Sequence, residues 1–312
     1  MLKAFLLVIV GLAGDPDHGA LFNKWGAALA GGSAGLGVDQ ANVVYLADQV
    51  DGAGEGAVKP AGRSTREQIE KAIDGFARTA TPDDVVFITL IGHGSFDGRA
   101  AKFNLVGPDM TGADFNTLLR KLPTKQIVFV NTASSSGPFV EALSGPGRTI
   151  ITATRNGAEQ YATLFGGFFV DALTTEEADA DKNKRVSMLE AFQYAKGAVA
   201  KAYEQQGLLA TEHAILDDNG DKEGSADPST TAKDGRVAST LSLGSAADAA
   251  LPADPKLRAL YVERRDLERR VEGLRLLKDS MEPARYASEL ERLVTALALK
   301  TREIRTIETR TP

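Results

Sequence analysis

Cysteine is absent from all 312 residues, which removes disulfides, thiolate metal sites and a thiol nucleophile together. No apolar run reaches the ~18 residues that a membrane-crossing helix needs, so no such helix is expected. Aromatic residues are sparse at 6%, with a single tryptophan, Trp25. Positive charge is also in deficit. Lys and Arg number 36 against 42 Asp and Glu, a formal net charge of -6, which argues against nucleic acid as a main partner. A hydrophobic content of 43% supports a sizeable core, and the length suits one large α/β domain with an accessory element. The opening MLKAFLLVIVGLAG is expected as a first buried strand leading into the loop Gly14-Asp15-Pro16-Asp17, not as a secretory leader. The compartment is left open: a soluble protein, exported if the native gene carries an upstream signal.

Two stretches organise the rest. In DDVVFITLIGHGSFDG, residues 83–98, Val85 to Ile91 form a near-continuous apolar, β-branched run that suits a strand covered on both faces. It ends on His93 between two glycines, and the carboxyl edge of a parallel sheet is where ligands bind. In QIVFVNTASSSG, residues 126–137, a second apolar strand breaks into Ser134, Ser135 and Ser136. Adjacent parallel strands ending in this way would bring His93 near one of those hydroxyls. A histidine there can take the proton of a serine that attacks a carbonyl, and the backbone N–H groups of Gly94 and Ser134 can face the resulting oxyanion.

A strand ending in His-Gly followed by a strand ending in small-x-x-Ser-Gly resembles the caspase-like (clan CD) cysteine peptidases, in their legumain-like branch. The likeness implies a three-layer αβα sandwich with a mostly parallel sheet, and a peptide or protein as substrate or partner. Aligning Ser136-Gly137 with the family's Ser-Gly places Ser134 where the family has its nucleophilic cysteine. His93 then corresponds to the family histidine, and Gly94 to its oxyanion donor. The family also supports its histidine from the loop after the first strand, where Asp15 is the nearest match; Asp97 is a second candidate by its place at a strand end. Two functions follow: a peptide-bond hydrolase with a Ser134/His93 pair, or a catalytically silent relative that uses the same cleft to bind a partner. No counterpart of the family's basic specificity pocket is evident.

Strand-helix alternation continues through Asn42 to Leu46, a helix capped by Ser64 with Glu67 as its capping-box partner, Thr111 to Leu119, Gly147 to Thr154, Leu164 to Leu173 and Met188 to Gln206. Residues 1–224 are expected to form the α/β domain. Residues 225–254, poor in large apolar side chains, read as a linker or extended loop, with Leu241 and Leu243 as a short edge strand. From 255 to 312 two charged amphipathic segments, broken at Glu282-Pro283, read as a coiled-coil-like antiparallel helical hairpin with capacity for self-association.

A further constellation follows the EF-hand calcium loop. Asp179, Asp181, Asn183, Ser187 and Glu190 fall at its side-chain ligand positions and Arg185 at its backbone-carbonyl position, which makes Ca2+ the one cofactor expected. Lys184 stands where that loop has its glycine, and the competing reading is an acidic cap for the following helix. Asp217-Asp218-Asn219-Gly220-Asp221 reads as an exposed turn, His213 as a packing or capping residue, and His18 as a loop residue.

Overall fold

A computed structural model of the chain describes residues 3–50, 58–175, 177–243, 254–276 and 282–308. The chain divides into two compact units, Met1–Ala246 and Ala247–Pro312.

The first unit is built on a seven-stranded sheet. Its strands are β1 (Ala4–Val10), β2 (Val43–Ala47), β3 (Gly62–Arg63), β4 (Val85–Ile91), β8 (Gln126–Asn131), β9 (Arg148–Thr152) and β10 (Ile215–Asp217). They lie in the order β10-β9-β8-β4-β1-β2-β3, all parallel except β10, which runs antiparallel to β9. A small antiparallel sheet, β5 (Gly94–Phe96), β6 (Ala101–Phe103) and β7 (Met110–Thr111), leaves the carboxyl end of β4. Its strands are only two or three residues long, too short for the alternation of Ala101, Lys102 and Phe103 to stand out in the sequence.

Period-two alternation sends the residues of β1 to opposite faces. Leu6, Val8 and Val10 pack with Phe22 and Leu29 of α1 (Pro16–Gly32), Phe165 and Phe169 of α5 (Phe165–Thr174), and Phe192 of α6 (Met188–Gln205). Phe5, Leu7 and Ile9 pack with Ile69 and Phe76 of α2 (Arg66–Thr79), Phe115 of α3 (Gly112–Leu119) and Phe139 of α4 (Phe139–Leu143). Helices therefore cover both faces, and strands buried on both faces read as continuous apolar runs. The expected mostly parallel three-layer sheet is present.

Local differences have local causes. The N-cap of α2 is Thr65, whose hydroxyl accepts the Gln68 N–H at 3.3 Å, and not Ser64. Ser64 is instead fully buried, its N–H bonded to the Ala47 carbonyl and its own carbonyl receiving the Val106 N–H. Part of the segment read as a linker is built into the first unit: Ala238, Leu241 and Leu243 are buried in the same apolar cluster as α6. Leu241 and Leu243 flank Ser242, which makes a single antiparallel bridge to Ser187 and not a strand.

The second unit contains α7 (Pro255–Leu276) and α8 (Pro283–Glu308). Tyr261 donates to Glu308 at 2.5 Å, Lys300 pairs with Glu263 at 2.7 Å, and Val271 packs with Leu293, so the helices run antiparallel. Side chains of Leu274, Leu276 and Leu277 lie outside the described residues.

Candidate functional site at the carboxyl edge of the central strands

Three adjacent strands, β1, β4 and β8, end on one edge of the sheet and deliver the site. The register pairs Val10 with Ile91 and Leu90 with Asn131, so the segments after them, 11–18, 92–94 and 132–137, emerge side by side. Gly92 leaves β4 at φ 156, and His93 follows it.

His93 is half-buried. Its ring meets the His18 ring edge-on at 4.7 Å between centroids, and the Phe22 ring at 5.0 Å. Burial pulls its pKa below the ordinary imidazole value and His18 adds to that, against the opposing pull of Asp15 and the Ala13 carbonyl. The neutral form, the one able to accept a proton or a metal, is thereby favoured.

Asp15 and His18 are set by the start of α1. Asp15 is its N-cap: Oδ1 accepts the N–H groups of Asp17 and His18, each at 3.0 Å, and Oδ2 takes Nδ1 of His18 at 2.7 Å. The bond from the His18 backbone, then that from its ring, holds the Asp15 carboxyl below the usual carboxylate range. His18, which sequence reasoning treated as a loop residue, therefore belongs to the site. The missed signal was its spacing three residues after a capping aspartate, which returns a side chain over the cap.

Ser134 is buried, and its hydroxyl is held by Gly94 from both sides. The Gly94 N–H donates to Oγ at 3.2 Å, and Oγ donates to the Gly94 carbonyl at 3.0 Å. Only glycine allows this approach, because a Cβ on residue 94 would stand 2.3 Å from the Ser134 carbonyl oxygen. The neighbouring serines are equally engaged. Ser135, at φ 55, donates its hydroxyl to the Gly157 carbonyl at 3.0 Å, and Ser136 shares a bond of 3.1 Å with the Thr154 hydroxyl. Gly137 admits the backbone of Arg155, which a Cβ would meet at 2.2 Å.

Asp97 is turned to its own hairpin. It accepts the N–H groups of Ala100 and Arg99 and pairs with Lys102 at 3.0 Å; the Ala100 bond, then the Lys102 contact, lowers its pKa to about 2. His213 is a packing partner, its ring bonded to Glu159 at 2.8 Å. A cleft of about 870 Å3 opens beside the site, lined by Ala13, Gly14 and Asp15 on one side and by Asn23, Tyr45 and Asp48 on the other.

The calcium-like loop is wound by its own carboxylates. Asp179 accepts the N–H groups of Asn183 and Lys184, and Asp181 accepts that of Asn183. Asn183 in turn accepts the Arg185 N–H at 2.8 Å. Ser187 caps α6, forming a capping box with Glu190, whose other oxygen takes the Ala180 N–H. Carboxylate oxygens of Asp179, Asp181 and Glu190 lie within 4.8 Å of one another. Lys184 holds φ +66, the left-handed conformation that the glycine of such loops supplies. Asp217 and Asp218 are buried while Asn219 and Asp221 are exposed, so the 217–221 turn starts in the interior and ends at the surface.

Against known proteins, residues 67–216 match the model of the Peptidase C13 family. No curated protein sequence matches the chain. A crystal structure of a protein from Geobacter sulfurreducens aligns with a TM-score of 0.43 at 13% identity, covering 69% of this chain and 92% of that one.

Proposed function

We propose that the chain, whose residues 67–216 match the model of the Peptidase C13 family, is a catalytically silent peptidase homologue that binds a peptide or protein segment at the edge of β4 and β8. One observation carries this reading. The hydroxyl at the nucleophile position and the N–H at the oxyanion position are hydrogen-bonded to each other, so both groups a hydrolase would offer to a scissile carbonyl are already engaged. A serine also depends on a base more than a thiol does, and the ring of His93 packs on His18 and Phe22.

A fluorophosphonate probe tests the reading directly. No labelling of the full chain is expected. Labelling that disappears in Ser134→Ala would overturn it in favour of a serine hydrolase with His93 as base, for which the lowered His93 pKa is the supporting observation.

Two further roles belong to the same proposal. The loop 179–190 is read as a Ca2+ site with Asp179, Asp181, Asn183, Ser187 and Glu190 as side-chain ligands and the Arg185 carbonyl completing the set; the left-handed Lys184 and the converging carboxylates support it. The α7-α8 hairpin is read as an element of self-association. Val294 and Leu299 are 44% and 56% exposed on α8, a wider apolar stripe than a two-helix seam buries.

A further inference from the structure

We propose that Asp15, His18 and His93 form a binding site for a divalent transition metal, with Zn2+ the ion that fits best. One ligand atom from each of the three lies within 4.8 Å of the others. A tetrahedral ion with bonds of about 2.0–2.2 Å holds its ligands roughly 3.4 Å apart, so rotation of an exposed side chain closes the set. His18 has that freedom, at 36% side-chain exposure, while half-buried His93 and Asp15, held at the cap of α1, are the fixed members.

The donor chemistry selects the ion. Two imidazoles and one carboxylate suit zinc and its neighbours in the first transition series, whereas calcium and magnesium prefer oxygen alone. Three protein ligands leave one position for water or for a group of a bound partner. The site is also partly organised in advance. Oδ1 of Asp15 is held by two backbone N–H groups at 3.0 Å, which leaves Oδ2 directed at the His18 ring 2.7 Å away. The aromatic contact of Phe22 with His93 fixes the third ring. The oxygen-only loop at Asp179, Asp181 and Glu190 is chemically distinct, so the two clusters sort their ions by ligand type.

This assignment rests on the silent reading of Ser134, because a metal-bound His93 imidazole could not also serve as a base; a fluorophosphonate label tests that reading, and metal binding tests this one. Calorimetric titration of the full chain with Zn2+, in excess Ca2+ to occupy any oxygen site, tests it. One equivalent per chain is expected, and Co2+ in its place should give the visible absorption of a four-coordinate site. Asp15→Asn retains a residue able to cap α1, and His18→Ala changes an exposed side chain, so neither depends on the core for folding. Each should weaken binding more than the roughly 10–100-fold that loss of an outer hydrogen-bond partner costs. His93→Ala should abolish it, with unchanged circular dichroism as the control. Absence of saturable Zn2+ binding, or undiminished affinity in both Asp15→Asn and His18→Ala, would overturn the site.

Discussion

The Ser134 hydroxyl and the Gly94 backbone are hydrogen-bonded in both directions, at 3.2 Å and 3.0 Å, which ties the first residue after the β4 histidine to the segment leaving β8. The contact joins two loops that a cleft of this kind must hold in fixed relation. It also leaves Gly94 dependent on one side chain for its N–H.

Ser134→Ala should therefore destabilise the fold. Removing one partner of a half-buried donor costs about 1–3 kcal/mol. Urea unfolding should show a lower midpoint with unchanged slope, and an unaltered midpoint would mean that water replaces the hydroxyl without loss.

Lys184→Gly should act in the opposite direction. A lysine at φ +66 carries the steric cost of a left-handed L-residue, about 1–2 kcal/mol, which glycine avoids. The substitution also removes a positive charge beside Asp179 and Asp181. The melting temperature should rise, and millimolar Ca2+ should raise it further in the variant than in the parent, because only the folded state presents the loop. A calcium effect absent from both proteins would leave the loop as a helix cap alone.

Asp234 gives stability a pH dependence of defined sign. It is 1% exposed, and burial, with Asp218, Asp217 and Asp221 nearby, raises its pKa from 3.8 to about 6. The folded state then holds a proton that the unfolded state has released, so between those two values stability falls as pH rises, and it is flat above them. Asp234→Asn should flatten this part of the profile and leave the protein more stable than the parent at neutral pH. Urea midpoints measured across the acid range check both.

Residues 1–246 should fold without the helical hairpin, because they form a compact unit with their own two apolar clusters. If the hairpin mediates association, light scattering should report fewer copies per particle for this fragment than for the full chain. Near-UV circular dichroism should retain the environment of Trp25, which packs against α5 within the first unit. Equal copy numbers would remove the association role.

How much of this was legible in the sequence depends on the range of the forces involved. Val85 to Ile91 and Gln126 to Asn131 announced themselves because strands covered on both faces must be apolar throughout, and the helices between them then required parallel pairing. The capped start of α3 at Thr111, with Asp114 in its first turn, was equally local and legible, and the two residues form a capping box. The antiparallel hairpin followed from apolar spacing and one proline break. The tertiary structure alone decided the rest. Ser64 lost its capping role because distant β2 and the segment at Val106 claimed its backbone, leaving Thr65 to cap α2. Ala238, Leu241 and Leu243 gained burial from a core that their own low-complexity surroundings do not reveal. His18 and His93 stand 75 positions apart in the chain, and only the pairing of β1 with β4 sets their rings 4.7 Å from each other. Local sequence specifies elements through periodicity and caps, whereas a site assembled from three strand ends exists only once long-range pairing has fixed their order.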